Sequence, residues 1–96
     1  MGPPRVYADF QKVDDRGRLR LTCAGTLEDL ARHGLQLEEG MRLALYTDDA
    51  DDQGRPDELR AEGVAHFDGA AQCWVAEVDW DRLWHASDER PSGPGR

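Results

Sequence analysis

The sequence predicts a single small α+β domain built on a curled antiparallel sheet, or small barrel, of about five strands. Short segments in which apolar and polar residues alternate recur along the chain, and turns rich in glycine and aspartate separate them. One segment between the second and third strands changes to helical spacing. A length of 96 residues suits one domain with a modest core. We expect this domain to span residues 1–86, with a disordered tail at 87–96, which has no apolar residue.

The first two strands are expected to form a hairpin. In RVYADFQKVD, residues 5–14, the side chains of Val6, Ala8 and Phe10 share one face. The segment RLRLTC, residues 18–23, alternates in the same way. Between them the sequence DDRG, residues 14–17, is typical of a turn, because glycine tolerates positive φ and aspartate bonds to its own backbone.

The segment GTLEDLARHGL, residues 25–35, predicts a short helix. Thr26 is the expected N-cap and Asp29 follows three residues later, a weaker form of the capping box. Gly34 stands where a helix commonly ends. The residues that share one face, and that we expect to pack on the sheet, are Leu27, Leu30 and Ala31.

Three further strands and a short helical turn complete the expected order. The third strand is predicted within residues 36–47, the fourth within 58–68 and the last within 73–80. Gly63 falls inside the fourth strand and predicts a bulge or sharp curl there. Residues 81–88 are expected to form the C-terminal helical turn.

Charge and composition narrow the classes of function. Twenty acidic residues outnumber twelve basic ones, for a net charge of −8, which argues against a general nucleic-acid binder and against an anionic membrane surface. The sequence has no apolar run long enough for a membrane span and no basic-then-apolar signal region. The composition is typical of a small bacterial protein with high-GC coding. We therefore expect a cytoplasmic protein, with Cys23 and Cys73 as buried reduced thiols.

The acidic segment at residues 48–57 has two interpretations. It partly matches a calcium-binding loop, with Asp49, Asp51 and Asp57 as candidate ligands around Gly54. Arg60 stands where such a loop needs its bidentate glutamate, however, and the flanking segments are predicted strands. The other interpretation is a solvated hairpin turn whose charge protects neighbouring sheet edges.

The tryptophans give the positive indication of function. Trp74 and Trp80 fall on the core side of the last strand, where aromatic residues commonly fill small cores. Trp84, near the end of the predicted domain, is a candidate anchor for another protein, because tryptophan is favoured at interfaces. Tyr46, Val64 and Val75 are predicted to face away from the core and to extend this apolar surface.

Residues 12–49 also carry a partial likeness to a known family. The positions that carry it are Val13-Asp14, Gly17-Arg18, Leu19, Leu21, Leu35, Gly40 and Leu43. In this order they resemble the swapped-hairpin domains of the AbrB and MazE kind. The proline that commonly follows the first strand of those domains is replaced here by Thr22-Cys23, and the spacing through the helix is longer. The resemblance implies a DNA-binding dimer that uses Arg16, Arg18 and Arg20.

We see no spacing typical of a catalytic triad, a phosphate-binding loop or a zinc site. The sequence therefore predicts a non-enzymatic domain without a cofactor, which binds another protein or a second copy of itself. The DNA-binding regulator and the calcium-binding module remain as alternatives.

Overall fold

The computed structural model describes residues 2–50 and 53–86 and shows an α+β domain, as predicted. Six strands within these residues form one sheet in the order β1-β3-β4-β5-β2, and β6 pairs with β4 beside that path. β1 runs parallel to β3, and the other strand pairs of the described residues are antiparallel. The sheet is open, so the alternative of a barrel is wrong. The strands are β1 (Arg5–Tyr7), β2 (Leu19–Arg20), β3 (Arg42–Ala50), β4 (Pro56–Asp68), β5 (Cys73–Val78) and β6 (Trp84–His85).

The predicted hairpin between residues 5–14 and 18–23 forms only next to its turn, because β1 and β2 lie at opposite ends of the sheet. Alternation shows which side chains share a face, but it does not choose the neighbouring strand. In the structure, Val6 of β1 pairs with Leu45 of β3. The turn itself forms locally, since Val13 pairs with Leu19 across it.

The core lies on one face of the sheet and confirms most of the predicted alternation. Each of the strands β1 to β5 contributes at least one apolar side chain to the core. Phe67 of β4 departs from the predicted pattern, since it is 46% exposed. Its members with at most 2% exposure include Val6, Ala8, Leu19, Leu21, Leu43, Leu45, Ala61, Ala65 and Ala76.

Gly63 marks a close approach and not the predicted bulge. The register of β4 passes through it without interruption, facing Leu43 on β3 and Val78 on β5. A Cβ atom at this position would lie 2.9 Å from Cδ1 of Leu45 and 3.2 Å from the backbone oxygen of Glu77. Glycine is therefore needed for space inside the sheet.

Helix α1 (Ala24–Arg32) connects β2 to β3, and a short 3₁₀ helix (Trp80–Arg82) follows β5. Asp79 precedes this 3₁₀ helix and its side chain accepts a hydrogen bond from the amide of Asp81. The chain then extends into β6. The helical turn predicted at residues 81–88 is therefore wrong for residues 84–85, and the helical segment is confined to Trp80–Arg82. The tail predicted at residues 87–96 lies outside the described residues.

Candidate functional site

Helix α1 covers the outer edge of β1 with two polar side chains. The Tyr7 amide donates to Oδ2 of Asp29 at 2.9 Å, and Oγ1 of Thr26 donates to the Tyr7 carbonyl at 2.6 Å. Both backbone groups of Tyr7 point away from β3. The residues that flank β1 bond to β3 instead: the Ala8 amide donates to the Tyr46 carbonyl, and the Pro4 carbonyl accepts from the Ala44 amide. Thr26 and Asp29 thus take the place of a further strand and satisfy an edge that would otherwise be exposed.

Thr26 is therefore not the N-cap that the sequence predicts. The helix begins at Ala24, with Cys23 in the N-cap position and without a side-chain capping bond. Thr26 lies within the first turn and is fully buried. A threonine followed three residues later by an acidic residue fits a capping box and an edge-covering pair equally well, because both need two side chains one turn apart.

The Asp29 carboxylate is the centre of this contact and is only 4% exposed. It accepts hydrogen bonds from the Tyr46 hydroxyl at 2.6 Å and from Nη1 of Arg32 at 2.7 Å, besides that of Tyr7. The Tyr46 hydrogen bond, with the Tyr7 amide and Arg32, holds the pKa of Asp29 below its ordinary value. The same bond to the carboxylate raises the pKa of Tyr46 to about 12. We call Thr26, Asp29, Tyr7 and Tyr46 the polar seam.

Gly25 allows the helix to lie this close to β1. A Cβ atom there would stand 2.5 Å from Cδ1 of the Tyr7 ring. The Tyr7 ring in turn meets the Tyr46 ring edge to face, with centroids 5.6 Å apart.

The polar seam turns the apolar side of α1 outward. Leu27, which is expected on the core face, is 55% exposed, and Ala31 is exposed too. Leu30 alone of the three predicted core-facing residues packs partly against the core. Successive helical residues differ by about 100°, so directing Thr26 and Asp29 at the edge of β1 leaves Leu27 pointing away from it.

Next to Leu27 lies an apolar groove between α1, the segment that follows it and β5. Its volume is about 390 Å³. Phe67 extends the apolar surface, because its ring meets that of Trp74 edge to face with centroids 5.4 Å apart. The residues that line this leucine groove are Leu21, Leu27, Leu30, Leu35, Gln36, Leu37 and Trp74.

The opposite face of the sheet carries the residues that the sequence singles out for protein binding. Trp84 and Val64 line one cleft of about 470 Å³, and Trp84 and Tyr46 line a smaller one of about 80 Å³. Val75 belongs to this face as well, but at 1% exposure it contributes nothing to the accessible surface. Its neighbours in the ladder are Arg20 of β2 and His66 of β4.

The larger cleft, which we call the Trp84 cleft, is rich in charge. The charged side chains that line it are Arg42, Glu62, Glu77, Asp79 and Arg82. Arg42 and Glu62 form a loose ion pair at 3.7 Å, with both side chains mostly exposed. This surface is therefore polar around a single indole.

The arginines suggested for DNA binding lie beside carboxylates. Arg18 pairs with Asp14 at 3.0 Å and with Asp68 at 2.7 Å. Arg16 and Arg20 line the same depression, together with Asp14, Asp15 and Asp68. Nearby carboxylates of equal number oppose the positive field that a phosphate backbone requires.

The acidic segment is largely a regular hairpin. The β3–β4 ladder continues to the pair Ala50 and Pro56, and Asp49 stands directly opposite Asp57. Asp51 lies outside the described residues. Within residues 2–50 and 53–86, no group of three or more side chains is arranged to hold a metal ion.

Two histidines make contacts that the sequence pattern gives no means of predicting. Nε2 of His85 bonds to Oδ2 of Asp49 at 2.7 Å, and this contact joins β6 to the acidic hairpin. Nδ1 of His66 bonds to Glu39, and its Nε2 lies 3.5 Å from Glu77. The bond to Glu39, supported by the charge of both glutamates, raises the pKa of His66.

No family model, curated protein or solved structure matches the chain. Across the described part of the chain, no helix has the length and apolar content needed to cross a bilayer.

Proposed function

We propose that this chain is a non-enzymatic protein-binding domain and that the leucine groove is its docking surface. The observation that carries the proposal is the orientation of α1, which buries Thr26 and Asp29 and leaves Leu27 55% exposed. A helix normally buries its apolar side. Here only Leu30 packs partly against the core, and the exposed Leu27 offers apolar surface that a second molecule can cover.

The energetics favour docking at this place. Removing a leucine side chain from water contributes about 1.5–3 kcal/mol. Leu27 and Phe67 are two of the three large apolar side chains that stand out as exposed among the described residues. Leu27 lines the groove, and Phe67 contacts Trp74, which also lines it. Contiguous apolar surface of this kind, next to a concave site, is typical of a protein-interaction site.

The leucine groove supports this function better than the Trp84 cleft does. Five charged side chains surround Trp84 in its cleft, and a partner would have to desolvate them. Trp84, Val64 and Tyr46 remain a second candidate surface, suited to the polar rim of an interface.

Site-specific photo-crosslinking in the host cell tests the proposal. A photoreactive amino acid replaces Leu27 in one variant and Val13 in a second. Val13 is the matched control, because it is the third exposed large apolar residue, 39% exposed, and lies at the turn before β2. We expect a discrete crosslinked species from position 27 and none of the same mass from position 13. The absence of any discrete adduct at position 27, or identical adducts from both positions, would contradict the proposed function.

A further inference from the structure

We infer that the occupant of the leucine groove is an amphipathic α-helix of another protein whose apolar side is flanked by lysine or arginine. This inference rests on the proposed function and specifies the partner. It follows from the spacing of the exposed residues on α1, from the shape of the groove and from the distribution of charge around it.

The exposed side of α1 has the spacing of a helix-packing surface. Ala24, Leu27 and Ala31 are all exposed, and their separations of three and four residues place them along one side. Small residues on both sides of a leucine allow a second helix to approach at the usual interaxial distance of about 8–10 Å. Leu27 can then insert between side chains of the partner.

The groove beside α1 accepts a side chain from that partner. Its volume of about 390 Å³ is bounded by Leu35, Leu37 and Trp74, besides the leucines of α1. A strand is a poorer occupant, because adding a strand requires an exposed sheet edge. Thr26 and Asp29 already occupy the β1 edge at Tyr7. At the other end of the sheet, beside the groove, Lys12 and Val13 pair with Arg20 and Leu19 of β2.

Charge selects a basic partner. None of the described residues that line the groove is charged, but the exposed Glu28 and Glu38 follow Leu27 and Leu37 directly in the sequence. The nearest cation on α1, Arg32, is paired with Asp29. The chain as a whole carries a net charge of −8. A basic helix is therefore attracted, whereas a second copy of this chain or an anionic bilayer is repelled.

A titration followed by NMR tests the inference on the full chain. One synthetic helix carries leucine along one side and lysine on the other, and a second has glutamate in place of every lysine. We expect the lysine helix to shift the amide signals of Leu27, Leu37 and Trp74 and to bind about tenfold or more tightly than the glutamate helix. We expect Leu27→Ser to lower the affinity for the lysine helix by about tenfold and Val13→Ser to leave this affinity unchanged.

Other results overturn the inference in distinguishable ways. Equal affinity for both helices would contradict the claim that the partner is basic. Signal shifts confined to the Trp84 cleft would contradict the claim that the leucine groove is the binding site. A concentration-dependent dimer in sedimentation that Leu27→Ser abolishes makes a second copy the occupant. If neither helix binds while photo-crosslinks from position 27 persist, the helical partner is wrong and the proposed function stands. If those crosslinks fail as well, the proposed function falls too.

Discussion

The two sides of α1 differ in both polarity and exposure to solvent. One side is polar and buried, with Thr26 and Asp29 bonded to the edge of β1. The other is apolar and exposed, with Leu27 beside the leucine groove. Hydrogen bonds to the backbone of the sheet edge accompany this orientation of the nine-residue helix. In the function we propose, the polar side stabilises the domain and the apolar side binds a partner.

The largest effect is expected from Asp29→Ala. It leaves the Tyr7 amide and the Tyr46 hydroxyl without their acceptor inside the protein, which costs about 3 kcal/mol of unfolding free energy. Chemical denaturation measures it. Glu28→Ala is the control, because it removes an exposed carboxylate from the neighbouring position of the same helix, and we expect it to change stability by less than about 0.5 kcal/mol. Equal effects of the two substitutions would contradict a buried polar seam.

A smaller loss is expected from Thr26→Val, which keeps the shape of the side chain and removes its hydroxyl. The Tyr7 carbonyl then lacks its donor, at a cost of about 1–2 kcal/mol in unfolding free energy. Thr22→Val, at an exposed position just before the helix, is the matched control and should be nearly neutral. A stabilised Thr26→Val variant would show that the hydroxyl does not serve the β1 edge.

The seam also predicts a dependence on pH. The pKa of Asp29 is lower in the folded protein than its ordinary value. The ionised carboxylate therefore contributes fully to the free energy of unfolding above the unfolded pKa of about 3.9, and this contribution is lost as the pH falls through the folded pKa. The difference in unfolding free energy between the natural chain and Asp29→Asn should therefore be constant from about pH 7 to about pH 5 and shrink as the pH falls below about 4. A difference that does not shrink at low pH would mean that the charge of Asp29 contributes nothing.

The smallest effect on stability is expected on the apolar side. Leu27→Ser should change the unfolding free energy by no more than about 0.5 kcal/mol, because Leu27 is mostly in water in the free domain. Partner binding should fall sharply in the same variant. A Leu27→Ser protein that unfolds far more easily would show that this side of α1 packs within the domain.

The sequence predicts well on which face of the sheet a side chain lies, but it predicts poorly which strands pair with each other. Alternation places Leu19, Leu43 and Leu45 in the core, because side-chain direction is a local property of a strand. It cannot show that β1 pairs with β3, since strand pairing depends on contacts distant in sequence. Within the segment that resembles the AbrB kind of domain, residues 12–49, the turn forms as the sequence predicts, with Val13 paired with Leu19.

The same dependence on distant contacts limits how much of the candidate site could be predicted. The shared face of Val64 and Tyr46 follows from alternation, whereas Trp84 joins them because β6 pairs with β4. The burial of Val75 depends on which strands lie beside β5. The polar seam was hidden because the spacing of Thr26 and Asp29 fits an N-cap as well. The local signal for the polar seam is Gly25, which stands next to Thr26 in the short helix. A glycine is needed at this position only because the Tyr7 ring lies against it.

The most direct test of this account is the hydrogen exchange of the Tyr7 amide, measured residue by residue by NMR. This amide faces outward from an edge strand, and Asp29 is its acceptor. We predict exchange much slower than in an unstructured peptide in the natural chain, and a return toward the peptide rate in Asp29→Asn, with Ala8, which bonds to β3, less affected. Unprotected exchange of Tyr7 in the natural chain would contradict the claim that α1 holds the sheet edge through its polar side.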